Sequence, residues 1–337
     1  MSNLSTKYIG LNLKNPIIVG ASNLVVDIDN IRKIEDAGAA AIVYKTLFEE
    51  QIELEKLQLS EELNQYNERH AEMISLFPNI EHAGPTAHLE NLRKVVQAVN
   101  IPIIASLNCT FEDTWIDYAK MIEQTGVNAI ELNFYSTPGD FKKEEKAIVT
   151  EQLDTLKHVR KNLKIPVSVK LSPFYTNVLN LVQMMYYEGV DGFVLFNRLF
   201  QPDIDIEKEV HYFPYHLSHE EDSLLPLRYI GLLSGEIRGS LCANTGIYNG
   251  KDVIKMLLAG ADAVQVVSTI YQHGIGQITV MLKEIDDWME SKKYDNIDQF
   301  KGKLSRKNMK DPFVYKRAQY VDILMKSEEI FKRYPMR

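Results

Sequence analysis

Two lysines stand where an apolar strand would otherwise bury them. Lys45 follows the run Ala41 to Tyr44, and Lys170 lies inside Val167-Ser168-Val169-Lys170-Leu171-Ser172-Pro173. An ammonium taken out of water is costly unless it meets an anion or an acceptor π-system, so two lysines at strand ends point to a ligand site. The plainer alternative is a lysine paired with a carboxylate of its own fold. Four asparagines, Asn108, Asn133, Asn197 and Asn244, follow apolar runs in the same way. An amide offers donor and acceptor together, which suits the edge of an imide-type heterocycle better than a metal ion. Taken singly, each reads as a turn residue. Asn244-Thr245-Gly246-Ile247 and Val267-Ser268-Thr269 are candidates for holding a phosphate on backbone N–H groups and a short helix start. Ser136 lies in Phe134 to Asp140, a segment with Pro138 and Gly139 that reads as a loop.

These residues share a context. Short β-rich apolar runs alternate with helix-period segments: Ile17 to Val19, Ala41 to Tyr44, Ile103 to Leu107, Ala129 to Leu132, Val167 to Leu171, Gly192 to Phe196, Ser240 to Ala243 and Ala263 to Val267. Alternation of this kind predicts βα units around a parallel sheet, and eight of them close a (β/α)8 TIM barrel. Asp36-Ala37-Gly38, Gln124-Thr125-Gly126 and Leu258-Ala259-Gly260 repeat one turn, in which a glycine caps a helix just before the next strand. Pro102 and Pro166 mark strand starts, where a missing backbone donor is tolerated. Leu89, Leu92, Val95, Val96 and Val99, and then Trp115, Tyr118, Ala119 and Ile122, have the spacing of outer-ring helices.

Insertions are expected after strands two (Leu47 to Pro85) and six (Gln201 to Ser223), on the barrel face where active sites lie. The chain reads as a single domain, 1–337, with a barrel core over about 15–285 and a helical tail over about 286–337.

Composition narrows the function classes. With 45% hydrophobic and 25% charged residues the chain is an ordinary globular one. Its formal net charge of -8 argues against nucleic acid as a partner. No apolar run reaches the roughly 20 residues of a membrane span, so no membrane association is expected. The two cysteines, Cys109 and Cys242, fit a reducing cytoplasm. His211, His216, His219 and Glu220 match no ligand spacing, and no metal is expected. Neither a Rossmann fingerprint nor a P-loop is present.

In order and strand placement the chain resembles the dihydroorotate dehydrogenase family, more narrowly its soluble class 1 branch and the dihydroorotate dehydrogenase-like proteins. The resemblance runs from Asn15 to about Gly274. It is carried by Asn15-Pro16 with Gly20-Ala21-Ser22, Tyr44-Lys45-Thr46, Glu131-Leu132-Asn133, Val169-Lys170-Leu171-Ser172-Pro173, Phe196-Asn197 and Thr245-Gly246-Ile247. Leu47-Phe48-Glu49-Glu50-Gln51, Leu195-Phe196-Asn197-Arg198 and Gln201-Pro202-Asp203-Ile204-Asp205 point to the narrower branch.

The resemblance implies FMN as cofactor and the oxidation of dihydroorotate to orotate in pyrimidine biosynthesis. It implies Ser136, three residues beyond Asn133, as the base that takes the C5 proton. Lys170 and Lys45 complete the catalytic set, Lys170 facing flavin N1 and O2. The implied cofactor contacts are Ala21, Ser22, Lys45, Asn108, Asn133, Lys170, Phe196, Asn244, Thr245, Gly246, Ser268 and Thr269. The implied substrate contacts are Lys45, Asn79, Asn133, Asn197 and Arg198. A small anionic substrate, a homodimer and a cytoplasmic location are further expectations, and the lack of the class 2 membrane extension argues against a quinone acceptor.

Departures from the family pattern are local. Ser75 to Asn79 stands for the family's substrate loop, Thr137 for a Pro, and Arg198 for a small hydroxyl residue. Thr245-Gly246 replaces a Gly-Gly pair, Ser268 a Gly, and Ser218 to Ser223 a glycine-rich turn. Other readings remain open. They are a flavin barrel for another pyrimidine or enoate substrate, a Schiff-base lyase or aldolase using Lys170, and a barrel that binds a phosphorylated ligand without catalysis.

Overall fold

The computed structural model describes residues 2–50, 52, 85–109, 111–134, 141–198, 201–212, 214, 216–316 and 318–335. Eight parallel strands form its centre: β1 (Ile17–Val19), β2 (Ala41–Val43), β3 (Ile103–Asn108), β4 (Ala129–Phe134), β5 (Val167–Leu171), β6 (Gly192–Leu195), β7 (Ser240–Asn244) and β8 (Ala263–Val266). Their order is β2-β1-β8-β7-β6-β5-β4-β3, and β2 also pairs with β3, so the sheet closes into the expected barrel. Around it run α1 (Ile28–Asp36), α2 (Thr86–Ala98), α3 (Glu112–Glu123), α4 (Glu145–Asn162), α5 (Val178–Tyr187), α6 (Leu224–Leu233), α7 (Gly250–Ala259), α8 (Ser268–His273) and α9 (Gln277–Lys292).

The strands are three to six residues long, and their side chains sort by the two-residue period of a strand. Ile17, Val19, Ile42, Ile103, Ala105, Ile130, Val167, Val169, Phe193, Val264 and Val266 join the large cluster that packs under the helices. The alternate residues Ile18, Ala41, Val43, Ile104, Ala129, Val194, Cys242 and Ala263 form a second cluster inside the barrel. The repeated glycine turn takes the expected form, with φ of +104° at Gly38, +88° at Gly126 and +114° at Gly260.

The second cluster is completed by an element that the apolar runs do not announce. An antiparallel hairpin, Thr6–Tyr8 with Leu11–Leu13, places Tyr8, Ile9 and Leu13 against the barrel interior. It sits at the strands' N-terminal end, since the Ile9 N–H donates to Ser240 Oγ at 2.9 Å and Thr6 Oγ1 donates to the Asp262 carbonyl at 2.9 Å. A Cβ at Gly192, the first residue of β6, would lie 2.5 Å from Ile9 Cγ2. The hairpin thereby covers the lower end of the barrel, opposite the mouth at the strands' C-terminal ends.

Of the insertion after β2, the short strand Leu47–Phe48 pairs in parallel with β3. Glu49 then caps α3, accepting from the Phe111 N–H at 3.2 Å and Thr114 Oγ1 at 2.6 Å. The insertion after β6 carries a hairpin, Asp203–Asp205 with Val210–Tyr212, and a 3-10 turn, Glu220–Ser223, that leads into α6. After α9 the chain returns along α7 through Gly302 N–H to Leu257 carbonyl (2.8 Å) and Leu304 N–H to Leu258 carbonyl (2.8 Å), then ends in α10 (Ala318–Met325) and α11 (Ser327–Arg333). No described helix is long and apolar enough to cross a membrane.

Candidate active site

The C-terminal mouth holds a cavity of about 550 Å³ whose walls come from the ends of all eight strands except β3's last residue, with Ser106 of β3 contributing from within the strand. That is the size of a cofactor site. On its floor is Lys170, nine-tenths buried although charged. Its Nζ donates to Gln265 Oε1 at 3.1 Å and lies 3.7 Å from Glu131 Oε1, while Gln265 Nε2 donates to Glu131 Oε2 at 2.5 Å. Glu131 is on β4 and Gln265 on β8, opposite sides of the closed sheet, so this chain of contacts spans the barrel interior. The two readings of Lys170 therefore hold together: the lysine is paired with a barrel carboxylate and also faces the cavity. Pairing explains how a cation is tolerated there, since a buried charge needs hydrogen bonds and a counter-ion. The single amide of Gln265 fixes both partners.

Above the floor stands a linked set of amides. Asn197 Nδ2 donates to Asn133 Oδ1 at 3.1 Å, and Asn108 Nδ2 donates to the Asn133 carbonyl at 2.7 Å. Asn133 and Asn197 line the cavity; Asn108 is buried behind Asn133 and orients it. Asn244 also lines the cavity, its Nδ2 donating to the Phe196 carbonyl at 2.8 Å, which Thr245 Oγ1 reaches as well at 2.9 Å. Phe196 itself turns away, edge-on to Tyr229 at 5.2 Å, toward a neighbouring groove of about 870 Å³ between α6 and the tail.

Ala21, Ser22 and Lys45 form the opposite wall. Ser22 Oγ is buried with no hydrogen-bond partner among the described residues. Lys45, half-buried, has no ion pair among them, and burial together with this ammonium lowers the nearby His88 imidazole to about pH 4. His88 Nε2 is likewise buried and unpartnered among the described residues, with its ring edge-on to Tyr44 at 5.2 Å. Thr46 Oγ1 and Ser106 Oγ, 2.8 Å apart, complete the polar floor on that side.

At the far end Thr245 and Gly246 both have positive φ, +81° and +74°, and Ser268 faces them. A Cβ on Gly246 would run into Ser223 N and lie 2.8 Å from the His219 carbonyl oxygen, so only glycine allows the 218–223 loop to sit there. Thr269 points elsewhere, fully buried with its hydroxyl on the Tyr248 carbonyl at 2.9 Å. Arg198 lies at the rim shared by the cavity and the groove, in an ion pair with Asp222. Ser136 and Asn79 lie outside the described residues.

The structure thus gathers Ala21, Ser22, Lys45, Asn133, Lys170, Asn197, Arg198, Asn244, Thr245, Gly246 and Ser268 around one cavity, and sets Asn108, Phe196 and Thr269 behind or beside it. Sequence reasoning did not single out Gln265 or Ser218 as site residues, and took Glu131 only as part of a motif. A signal for the first existed: a polar residue inside an apolar barrel strand, as in Ala263-Val264-Gln265-Val266, needs a partner across the lumen.

A cation over an acceptor, an amide pair and a polar far end are a donor set for a flat, polar ring with an anionic tail. Comparison with known proteins gives the same direction. Similar proteins include the protein named dihydroorotate dehydrogenase B (NAD(+)), catalytic subunit, of Thermoplasma volcanium, 26% identical over 308 residues that cover 90% of this chain and 98% of the relative. The protein of that name from Methanocaldococcus jannaschii is 26% identical over 300 residues, 85% of this chain and 94% of the relative. A chloroplastic dihydropyrimidine dehydrogenase (NADP(+)) of Arabidopsis thaliana is 22% identical over 334 residues, 89% of this chain and 76% of the relative. The family model described as dihydroorotate dehydrogenase matches residues 3–289, from the plugging hairpin through β8 into α9, and with that span the chain belongs to the dihydroorotate dehydrogenase family of oxidoreductases.

Proposed function

We propose that this chain is an FMN-dependent oxidoreductase of a CH–CH bond, with dihydroorotate as substrate and pyrimidine biosynthesis as its setting. The observation that carries the proposal is Lys170, a buried ammonium held on the cavity floor by Gln265 and Glu131 beside the Asn133–Asn197 amide pair. The residues present fit the cofactor. Ser22 Oγ, without a partner among the described residues, the Lys45 ammonium and the Lys170 ammonium offer donors to a flavin ring, and Gly246 with Ser268 offers a place for its phosphate. When bound, FMN supplies a hydride acceptor for C6 of the substrate. Everything else falls to the chain itself. Lys170 stabilises negative charge that grows beside it during reduction, a fixed charge that needs no reorganisation at the moment of reaction. Asn133 and Asn197, tied to each other and steadied by Asn108, bind the pyrimidine's N–H and C=O edges. Ser136 takes the C5 proton, and as a weak base it requires a relay through water or a neighbouring group.

On this reading the domain is single, works in the cytoplasm and assembles as a homodimer. The relatives' name, "catalytic subunit", points to a second, non-catalytic subunit as a further partner.

A neutral dihydropyrimidine is the second reading. Arg198, the residue suited to a substrate carboxylate, is engaged by Asp222, and one relative is named a dihydropyrimidine dehydrogenase. The two are separated by mixing the oxidised holoenzyme, without oxygen, with dihydroorotate and with dihydrouracil in turn. Loss of the flavin's visible absorbance with dihydroorotate alone supports the first reading. Loss with dihydrouracil alone replaces it by the second.

A further inference from the structure

At the end of the barrel opposite the mouth lies a second cavity, of about 670 Å³, between the hairpin tip Ile9-Gly10 and the turns that enter β5, β6, β7 and β8. Its wall holds five cationic side chains and two carboxylates, an excess of three positive charges on a chain whose formal net charge is -8. Both carboxylates are already engaged. Asp191 Oδ2 accepts the Val167 N–H at 2.8 Å and lies 3.6 Å from the Arg160 guanidinium. Asp262 accepts the Leu241 N–H on one oxygen at 2.8 Å and the Lys301 ammonium on the other at 3.0 Å. Arg160 and Lys301 thus have a place in the fold as partners of carboxylates that cap strand starts.

The other three cations have none. Lys7, Lys164 and Arg238 are exposed, and none of them has an ion pair among the described residues. They come from three separate elements, the hairpin, the turn between α4 and β5 and the turn between α6 and β7, yet all line the same cavity. Like charges gathered round one hollow repel each other, and a cleft lined by one sign of charge concentrates counter-ions. Half-buried Tyr186 adds an aromatic ring to the wall.

The geometry points to a second ligand site, in which Lys7, Lys164 and Arg238 hold the phosphate chain of a small organic polyphosphate of the nucleoside triphosphate kind and Tyr186 meets its base. A single small anion neutralises one cation. A chain of phosphates carries enough charge to match the excess of three and is extended enough to meet cations on separate elements, through charge-assisted hydrogen bonds. The volume is that of a small-molecule site. The inference is independent of what the mouth cavity binds, because the two lie at opposite ends of the strands.

The test is calorimetric titration of the full-length chain as purified, in magnesium-free buffer of low ionic strength, with ATP, with inorganic tripolyphosphate and with inorganic phosphate. Both polyphosphates are expected to bind, more weakly as salt is raised, and phosphate alone far less. Lys7→Met, Lys164→Met and Arg238→Gln are each expected to weaken ATP roughly 3- to 10-fold, and the triple variant roughly 10²-fold or more. Lys164→Arg, which keeps the charge, should retain most of the affinity. Without ligand the triple variant should unfold at no lower temperature than the unaltered chain, since only mutual repulsion has been removed; a lower temperature would make the three residues structural and overturn the assignment. ATP binding that is absent at millimolar concentration, or equal in the triple variant and the unaltered chain, also overturns it. Tyr186→Leu should weaken ATP and leave tripolyphosphate unchanged; equal affinities of the two ligands for the unaltered chain keep the polyphosphate site and remove the base from it.

Discussion

His88 gives a pH test of the cavity wall that needs no ligand. Its imidazole is lowered from the ordinary 6.5 to about 4, first by burial and then by the Lys45 ammonium. The unfolded chain therefore binds a proton at this residue across a window in which the folded chain does not. Stability from the neutral, buried ring is fully present above pH 6.5 and is lost as pH falls through that value toward 4. The whole shift corresponds to roughly 3 kcal/mol at about 1.4 kcal/mol per pH unit, and about 2 kcal/mol of it is gone by pH 5. Urea unfolding of the unaltered chain and of His88→Phe, each at a series of pH values from neutral to mildly acidic, isolates the contribution. The phenylalanine variant is expected to lose about 2 kcal/mol less than the unaltered chain over that range. Lys45→Met should reduce the difference, because it removes the second cause of the shift. Identical pH dependence of the unaltered chain and His88→Phe would refute the reasoning and place the ring in water.

Three further outcomes follow from the same geometry. Lys170→Met should slow flavin reduction roughly 10²- to 10³-fold in anaerobic rapid mixing, as the loss of a fixed electrostatic contact does; it also leaves Glu131 buried without its cation, so adding Glu131→Gln should recover stability in urea and leave the rate low. Ser136→Ala should slow substrate oxidation about 10²-fold with flavin content intact, the effect of removing a positioned base; a fully active variant means that another group takes the proton. Gly192→Ala should cost about 1–3 kcal/mol in unfolding free energy, because its Cβ would press on Ile9 at 2.5 Å and the Ser240 carbonyl at 3.0 Å; unchanged stability would mean that the hairpin does not plug the barrel.

The barrel was legible because its strands are compact apolar runs, such as Ile103 to Leu107 and Ala129 to Leu132, punctuated by Pro102, Pro166 and the capping glycines. The N-terminal hairpin was not, because three-residue strands with Lys7 and Asn12 among them carry too few alternations to register. The cavity's strand-end residues were readable for a related reason: a barrel fixes where the last residue of each strand goes, so Lys45, Asn133, Lys170, Asn197 and Asn244 could be placed by order alone. Contacts that cross the barrel were not readable. Gln265 lies 95 residues from Lys170 in the chain, and only closure of the sheet brings them within 3.1 Å. Ser218 is harder still, since a loop residue takes on meaning only once Gly246 has turned beneath it.

The central claim is that a buried lysine and an amide pair at the barrel mouth serve oxidation of dihydroorotate on FMN. Its most direct measurement mixes the oxidised holoenzyme with a small excess of dihydroorotate in the absence of oxygen, and follows flavin absorbance and orotate together. The account predicts orotate appearing in equal amount with the flavin reduced, and little of either with Lys170→Met. A flavin that stays oxidised while dihydroorotate persists, or orotate without flavin reduction, would contradict it.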